Sequence, residues 1–251
     1  MIKKVLIIGD SCIDVFRYGN CDRLCPEAPV PVFQQTEIKT NAGMASNVYN
    51  NLLGIGIECD IITNEIRPTK TRYIDEISNQ MLLRVDINDR IEPIDDEILN
   101  NIDYDSYVAI IISDYNKGYL DIHDIMHISD NHPLVFLDTK KELGGWCDDI
   151  KYIKINEKEA DKNHDYLTNY YRNNLIITSG SKGARLRFER FPIVEEHPIR
   201  DLSGAGDTFL AALVAGFIED NDIRSAIRFA NRCASWVVSQ KGVVVVDLNK
   251  I

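Results

Sequence analysis

Positive charge is in deficit in this chain: 28 Lys and Arg stand against 39 Asp and Glu, a formal net charge of -11 at pH 7. A surface of that sign gains no affinity by neutralising phosphates, which excludes nucleic acid as the expected partner and requires a local basic pocket for any anionic substrate. Long apolar runs are also missing. The first, residues 5–8, follows Lys3 and Lys4 and ends at Gly9 and Asp10, too short for a signal-peptide core, and no run approaches membrane-spanning length. No membrane partner is expected, and the expected location is the cytoplasm. The six cysteines (Cys12, Cys21, Cys25, Cys59, Cys147, Cys233) form no Cys-x-x-Cys pair, so free, mostly buried thiols are the favoured reading. Cys21 and Cys25 are four apart but have no His near them in sequence, which argues against zinc. No G-x-G-x-x-G surrounds Gly9 and no Walker-type loop occurs, so a bound nucleotide must rest in a different cradle.

What is present describes a globular chain. Of its 251 residues 45% are apolar and 27% charged, enough to build a sizeable core. Short β-branched and apolar runs recur as "KKVLIIGD", "ECDIIT", "SYVAIIIS", "PLVFLDT", "KYIKIN" and "NLIITSG", several separated by segments of helical length. Continuous apolar runs suit strands buried on both faces, and strands alternating with helices favour a parallel sheet. The expected class is α/β, a doubly wound, mostly parallel sheet flanked by helices. Residues 15–33 and 71–87 break the rhythm with alternating character and read as strands outside the main sheet. Strands there can form a small antiparallel lid, from about 15–40 and 71–88, over the carboxyl edge where open α/β sheets bind ligands. "ARLRFERFPIVEEHPI" alternates like a hairpin, and residues 222–242 place Ile223, Ala226, Ile227, Ala230, Ala234, Val237 and Val238 on one helical face. No linker divides the chain, so one domain, 1–251, is expected.

Chemistry concentrates in "IRDLSGAGDTFLAAL", residues 199–213. A helix N-terminus offers unpaired N–H groups and the positive end of the dipole, and glycine lets a phosphate approach the backbone. Gly204, Ala205 and Gly206 thus form a candidate anion-binding turn. A carboxylate inside such a turn would repel a phosphate that it merely had to bind. Asp207 therefore fits the role of general base, taking the proton of an attacking hydroxyl during phosphoryl transfer.

Other segments agree with this reading. Asp10 and Asp14 fall at or beyond the end of the first strand, where substrate hydroxyls are commonly held. "NAGMASNVYN" starts a helix after a small-residue turn, Ala42-Gly43, with Asn47 one turn in. "KINEKEA" sets Asn156 and Glu159 at a spacing that can place an amide and a carboxylate near one metal-bound phosphate, although a solvated helix start explains it equally. "TSGSKG" supplies Thr178, Gly180 and Gly183 after a strand, either a nucleotide-approaching loop or an ordinary turn. "HDIMH" aligns His123 and His127 as zinc ligands would be aligned, but without the usual Glu or a third ligand, and reads as a surface helix.

In this order the segments resemble the ribokinase-like family of carbohydrate kinases from about Val5 to Val246, with "DLSGAGD" as the strongest signature. "RLCPEAPVPVF", "KTRYI", "NQMLLRVD", "SDYNKG" and "NEKEA" resemble the heptose 7-phosphate kinases within it, which often form the kinase half of a bifunctional ADP-heptose synthesis enzyme. The resemblance implies Asp207 as catalytic base, with the backbone of residues 204–206 stabilising the transferring γ-phosphoryl group. It implies Asp14, Ala42, Gly43 and Asn47 at the sugar. Asn156, Thr178, Gly180, Gly183 and Asn231 are implied at the nucleotide, and Glu159 at Mg²⁺ through water. ATP and Mg²⁺ follow as cofactors, with a monovalent cation near Asp201. Arg72, Arg84 and Lys117 are candidates for the substrate's own phosphate, since an acidic protein needs local cations to hold it. Lid strands of this family can pair between subunits, which implies a homodimer.

The chain departs from the pattern in four places. Ala42-Gly43 replaces Gly-Gly, Lys140-Lys141 replaces Lys-Gly, and the stretches between "CDIIT" and "KTRYI" and between Glu159 and Leu175 are short. A compacted kinase explains these losses, as does a relative that binds sugar phosphate with little turnover; another sugar or nucleoside kinase is the alternative within the family. No H-x-G-H motif occurs, so nucleotidyl transfer is not expected.

Overall fold

The computed structural model describes residues 4–169, 174–195 and 197–251. Lys3, part of the short connection between Glu159 and Leu175, and Glu196 of the alternating segment lie outside the described residues. The chain opens with strands β1 (Val5–Gly9), β2 (Ser11–Asn20) and β3 (Gln34–Met44), followed by helix α1 (Ala45–Ile55). Next come β4 (Cys59–Thr63), β5 (Thr69–Asp75), β6 (Met81–Ile87), α2 (Asp96–Asn100), β7 (Ala109–Asp114), α3 (Ile122–Asn131), β8 (Val135–Thr139) and β9 (Tyr152–Asn156). The rest comprises α4 (Glu157–Lys162), α5 (His164–Asn169), β10 (Leu175–Thr178), β11 (Ala184–Leu186), β12 (Glu189–Phe191), α6 (Ala205–Asp220) and α7 (Ile223–Val237).

The large sheet has the order β12-β11-β10-β9-β8-β7-β1-β4. From β4 to β10 every pairing is parallel, and the β11–β12 hairpin closes one edge in antiparallel fashion. Alternation within the strands sends side chains to two cores. Val5, Ile7, Ala109, Ile111 and Phe136 meet α1, α6 and α7, while Leu6, Ile8, Ile110, Ile112 and Leu137 meet Ile125 and Ile128 of α3. Burying each such side chain stabilises the fold by roughly 1.5–3 kcal/mol, which is why runs like VLIIG tolerate no polar interruption. Helix α6 lies between α1 and α7 and is buried along most of its length, which accounts for its Ala-rich sequence.

The expected lid is a separate sheet of order β3-β2-β5-β6. Two antiparallel pairs, β2–β3 and β5–β6, are joined by parallel pairing of β2 with β5. Phe16, Tyr18 and Ile74 on its inner face pack with Val243 of the carboxyl-terminal segment. One local expectation is corrected here. Ala42-Gly43 is not a turn, because pairing with β2 continues through Cys12↔Gly43 to Ser11↔Met44. The reversal into α1 falls at Met44, whose φ of 60° places a non-glycine residue in the left-handed region. Helix α3 is amphipathic, with Ile125 and Ile128 buried and His123 exposed, as a surface helix requires. Among the described residues no helix is long and apolar enough to cross a membrane.

Candidate active site

Several residues singled out above, and others that were not, converge on the carboxyl edge of the parallel sheet. Asp10, Asp114, Asp138, Asn156 and Thr178 stand at or just past the ends of β1, β7, β8, β9 and β10. Winding direction reverses where β1 lies between β4 and β7, the crevice where such sheets bind ligands. The lid strand β2 starts directly beyond this edge, and β5 pairs alongside it.

Gly204 is the N-cap of α6 and adopts φ 80°, a left-handed conformation natural to glycine. The N–H groups of Gly206 and Asp207 therefore stand in the first turn, where no intrahelical acceptor exists. Lys154 of β9 brings its Nζ to 3.1 Å from the point where a Cβ on Gly206 would stand. The candidate anion-binding turn thus has an ammonium group beside it.

Asp207 is buried, 4% exposed, and its carboxylate accepts from two side chains. Asn47 Nδ2 donates to Oδ2 at 3.0 Å, and the Tyr115 hydroxyl donates to Oδ1. Burial pushes the Asp207 carboxyl up from 3.8 to about 6; the hydrogen bonds from Tyr115 and Asn47 restrain the rise, Asp138 adds to it, and Lys154 opposes it. A carboxylate with a pKa near neutrality, held by two donors, is suited to accept a proton. Tyr115 itself is fixed by its backbone N–H, which donates to Asp10 Oδ2 at 2.6 Å.

Behind the turn lies a paired charge cluster. Asp138 is 2% exposed and binds Lys154 at 2.7 Å and Lys140 at 3.1 Å. Burial acts to raise its pKa, but the two ammonium groups outweigh burial and hold it below 3.8. Lys140 also reaches Glu159 at 2.6 Å. Asn156 and Glu159 form a capping box at the start of α4: Glu159 Oε2 accepts from the Asn156 N–H at 2.8 Å and Asn156 Oδ1 accepts from the Glu159 N–H at 3.0 Å. The structure shows the helix-start reading of this pair, with the Glu159 carboxylate also held by Lys140.

A cavity of roughly 440 Å³ adjoins the turn. Thr178, Gly180, Gly183 and Asn231 line it together with Ala205 and Gly206, so four of the five nucleotide candidates are brought together; Asn156 is not in the lining. Asn231 also ties α7 to β12, its Nδ2 donating to the Phe191 carbonyl at 2.8 Å.

On the lid, Asp14 is paired with Arg72. Gly43 lies so close that a Cβ there would overlap the Asp14 carboxylate and the Cys12 thiol. Arg84 is opposite Arg72 in register but is engaged by Asp86 through Nε at 2.7 Å and Nη2 at 2.8 Å. Lys117 is paired with Asp89. Asp201 accepts from the Ser203 N–H at 2.8 Å and shapes the approach to Gly204. Sequence reasoning missed Tyr115, Asp138 and Lys154. Their only local signal was position near strand ends, in "SDYNKG", "FLDT" and "KYIKIN".

The fold matches solved ribokinase-like structures. Ribokinase from Thermotoga maritima superposes with a TM-score of 0.73 at 15% identity, covering 97% of this chain and 96% of that one. An Arabidopsis thaliana ribokinase complexed with ribose and ATP gives 0.71 at 15% identity, covering 97% and 95%. At that identity the likeness defines the fold class, ribokinase-like.

The family follows from sequence. The model of the pfkB family carbohydrate kinases matches residues 110–249, and the chain belongs to that family. It is a carbohydrate kinase. The bifunctional protein HldE of a Nitratiruptor species is 31% identical over 302 residues, covering 100% of this chain, and that of a Helicobacter pylori strain is 27% identical over 306 residues with the same coverage. The chain spans 64% and 66% of the length of these relatives.

Proposed function

We propose that this kinase transfers the γ-phosphoryl group of ATP to a hydroxyl of a sugar phosphate, the anomeric hydroxyl of heptose 7-phosphate. The observation that carries the reading is Asp207, a buried carboxylate with a raised pKa, set in the first turn of α6 beside a glycine-lined turn and Lys154. Asp207 takes the proton of the acceptor hydroxyl as that oxygen attacks phosphorus and the bond from the γ-phosphorus to the leaving β-phosphate oxygen breaks. The N–H groups of the 204–206 turn and Lys154 stabilise the negative charge on the moving group. Asp14, Ala42, Gly43 and Asn47 hold the sugar; Asn156, Thr178, Gly180, Gly183 and Asn231 hold the nucleotide. The HldE relatives and the lid motifs support heptose 7-phosphate as the acceptor.

Magnesium is tested by its donor set. Mg²⁺ is commonly held by one or two carboxylates, waters and substrate phosphates. Asp138 is neutralised by two lysines and Glu159 is paired with Lys140, so Glu159 would meet the ion through water rather than directly, and among the described residues no group of three or more His, Cys, Asp or Glu could hold a metal alone. When bound, the ion supplies charge neutralisation of the nucleotide phosphates. The reading also includes one domain over 1–251, a cytoplasmic location and a monovalent cation near Asp201. It further includes a homodimer through the lid, whose outer face exposes Ile38, Leu83 and Ile87.

The test is ATP consumption with Mg²⁺ against heptose 7-phosphate, fructose 6-phosphate, ribose and adenosine, with Asp207→Asn as control. Turnover with heptose 7-phosphate alone, lost in the control, supports the reading. Turnover with another acceptor replaces the substrate, and binding of ATP and sugar phosphate without turnover removes the assigned reaction.

A further inference from the structure

Lys70 of β5 is 7% exposed and forms no ion pair among the described residues. In register it stands between Asp14 of β2 and Asp86 of β6, but both carboxylates are taken, Asp14 by Arg72 and Asp86 by Arg84. Among the described residues no carboxylate lies within ion-pair distance of Lys70 Nζ. Its polar neighbour is the Met44 thioether, 4.0 Å away, and it stands 5.6 Å from the centre of the Tyr115 ring. That ring carries the hydroxyl bonded to Asp207.

The other lysines of the site are different. Lys154 is tied to Asp138, Lys140 to Asp138 and Glu159, and Lys141 to Asp114 at 2.8 Å. A buried ammonium loses its hydration, and a thioether and an aromatic face return only part of it. In a chain with 39 acidic residues a buried cation left without a carboxylate is matched to an anion brought from outside.

We propose that Lys70 binds a phosphoryl oxygen of the bound substrates in the cleft between the lid and Asp207. This deepens the sugar-phosphate kinase reading and rests on it for the identity of the substrates. A tetrahedral, dianionic phosphoryl group is the chemistry required, whether it is the acceptor's own phosphate or the group in transfer. Lys70 differs from Arg72, Arg84 and Lys117 in that it need not release a carboxylate first.

The experiment compares wild type with Lys70→Met, which keeps most of the unbranched side chain without its charge, and Lys70→Arg, which restores a cation. If Lys70 holds the acceptor's phosphate, Lys70→Met raises KM at least tenfold for phosphorylated acceptors only. If it holds the group in transfer, kcat falls at least tenfold for phosphorylated and unphosphorylated acceptors alike. Lys70→Arg recovers much of either loss. Calorimetric titration with inorganic phosphate needs no turnover: a tenfold loss of affinity in Lys70→Met, absent in Lys70→Arg, supports the proposal even if no sugar on the panel is phosphorylated. Phosphate affinity and kinetics within twofold of wild type in a folded Lys70→Met overturn it.

Discussion

Replacing Asp207 with Asn tests the electrostatics of the site through two independent readouts. Burial raises the carboxyl from 3.8 to about 6. At about 1.36 kcal/mol per pH unit, keeping it ionised costs the native state about 3 kcal/mol. The folded protein binds this proton more tightly than the unfolded chain does. Its cost is therefore absent below about pH 4, grows as pH rises towards 6, and is fully present at neutral pH. Asn carries no charge, so stability of the variant relative to wild type should increase by up to about 3 kcal/mol between pH 4 and pH 7. Altered hydrogen bonds to Asn47 and Tyr115 add an offset, but not this pH dependence. Urea denaturation of both proteins at half-unit pH steps measures it, and kinase assays near neutral pH should show a loss of about 10²–10⁴-fold in turnover. A stability difference that is flat across this range would refute the claim that Asp207 is a strained, buried acid.

Three further outcomes follow from the same geometry. Tyr115→Phe removes a donor that holds the Asp207 pKa down, so the acid limb of kcat/KM should move above the wild-type value near 6; an unmoved limb would dissociate the phenol from the base. Gly43→Ala pushes on the Asp14 carboxylate and should raise the acceptor's KM by about two orders of magnitude while leaving that for ATP in place, as steady-state kinetics will show. Asp138→Asn leaves Lys154 and Lys140 buried against a neutral partner and should cost about 3–5 kcal/mol in denaturant titration, with a cost below about 1 kcal/mol speaking against the paired cluster.

The parallel sheet was legible because a strand buried on both faces must be apolar throughout, and runs such as AIIIS have few other destinations. The lid was legible from alternation, since Asp14, Phe16 and Tyr18 face inward while Ile13, Val15 and Arg17 face the other way. Glycine and Asp in 204–207 marked the glycine-capped start of α6 because their chemistry is local. Tyr115, Asp138, Lys154 and Lys70 carried no comparable signal. Each belongs to a different strand or strand end, and their meeting depends on the order in which β7, β8, β9 and the lid assemble. Ala42-Gly43 was misread as a turn for a related reason: small residues mark a reversal and a close packing site equally well, and only the continued pairing with β2 shows that this glycine makes room for Asp14.

The misfits of the cleft are complementary. Asp207 is an anion held in low dielectric, Lys70 is a cation without a carboxylate partner, and the Tyr115 ring lies between them with Lys140 on its other approach at 5.2 Å. Each charge destabilises the protein alone, and each is relieved by a different part of the same chemical event. In the proposed reaction an acceptor hydroxyl would give Asp207 a proton to bind, and a phosphoryl group would give Lys70 its anion. On that proposal, destabilisation stored at these two points would be returned as substrate binding and proton transfer, so that the strain in the resting protein and the chemistry of the loaded one would have a common origin.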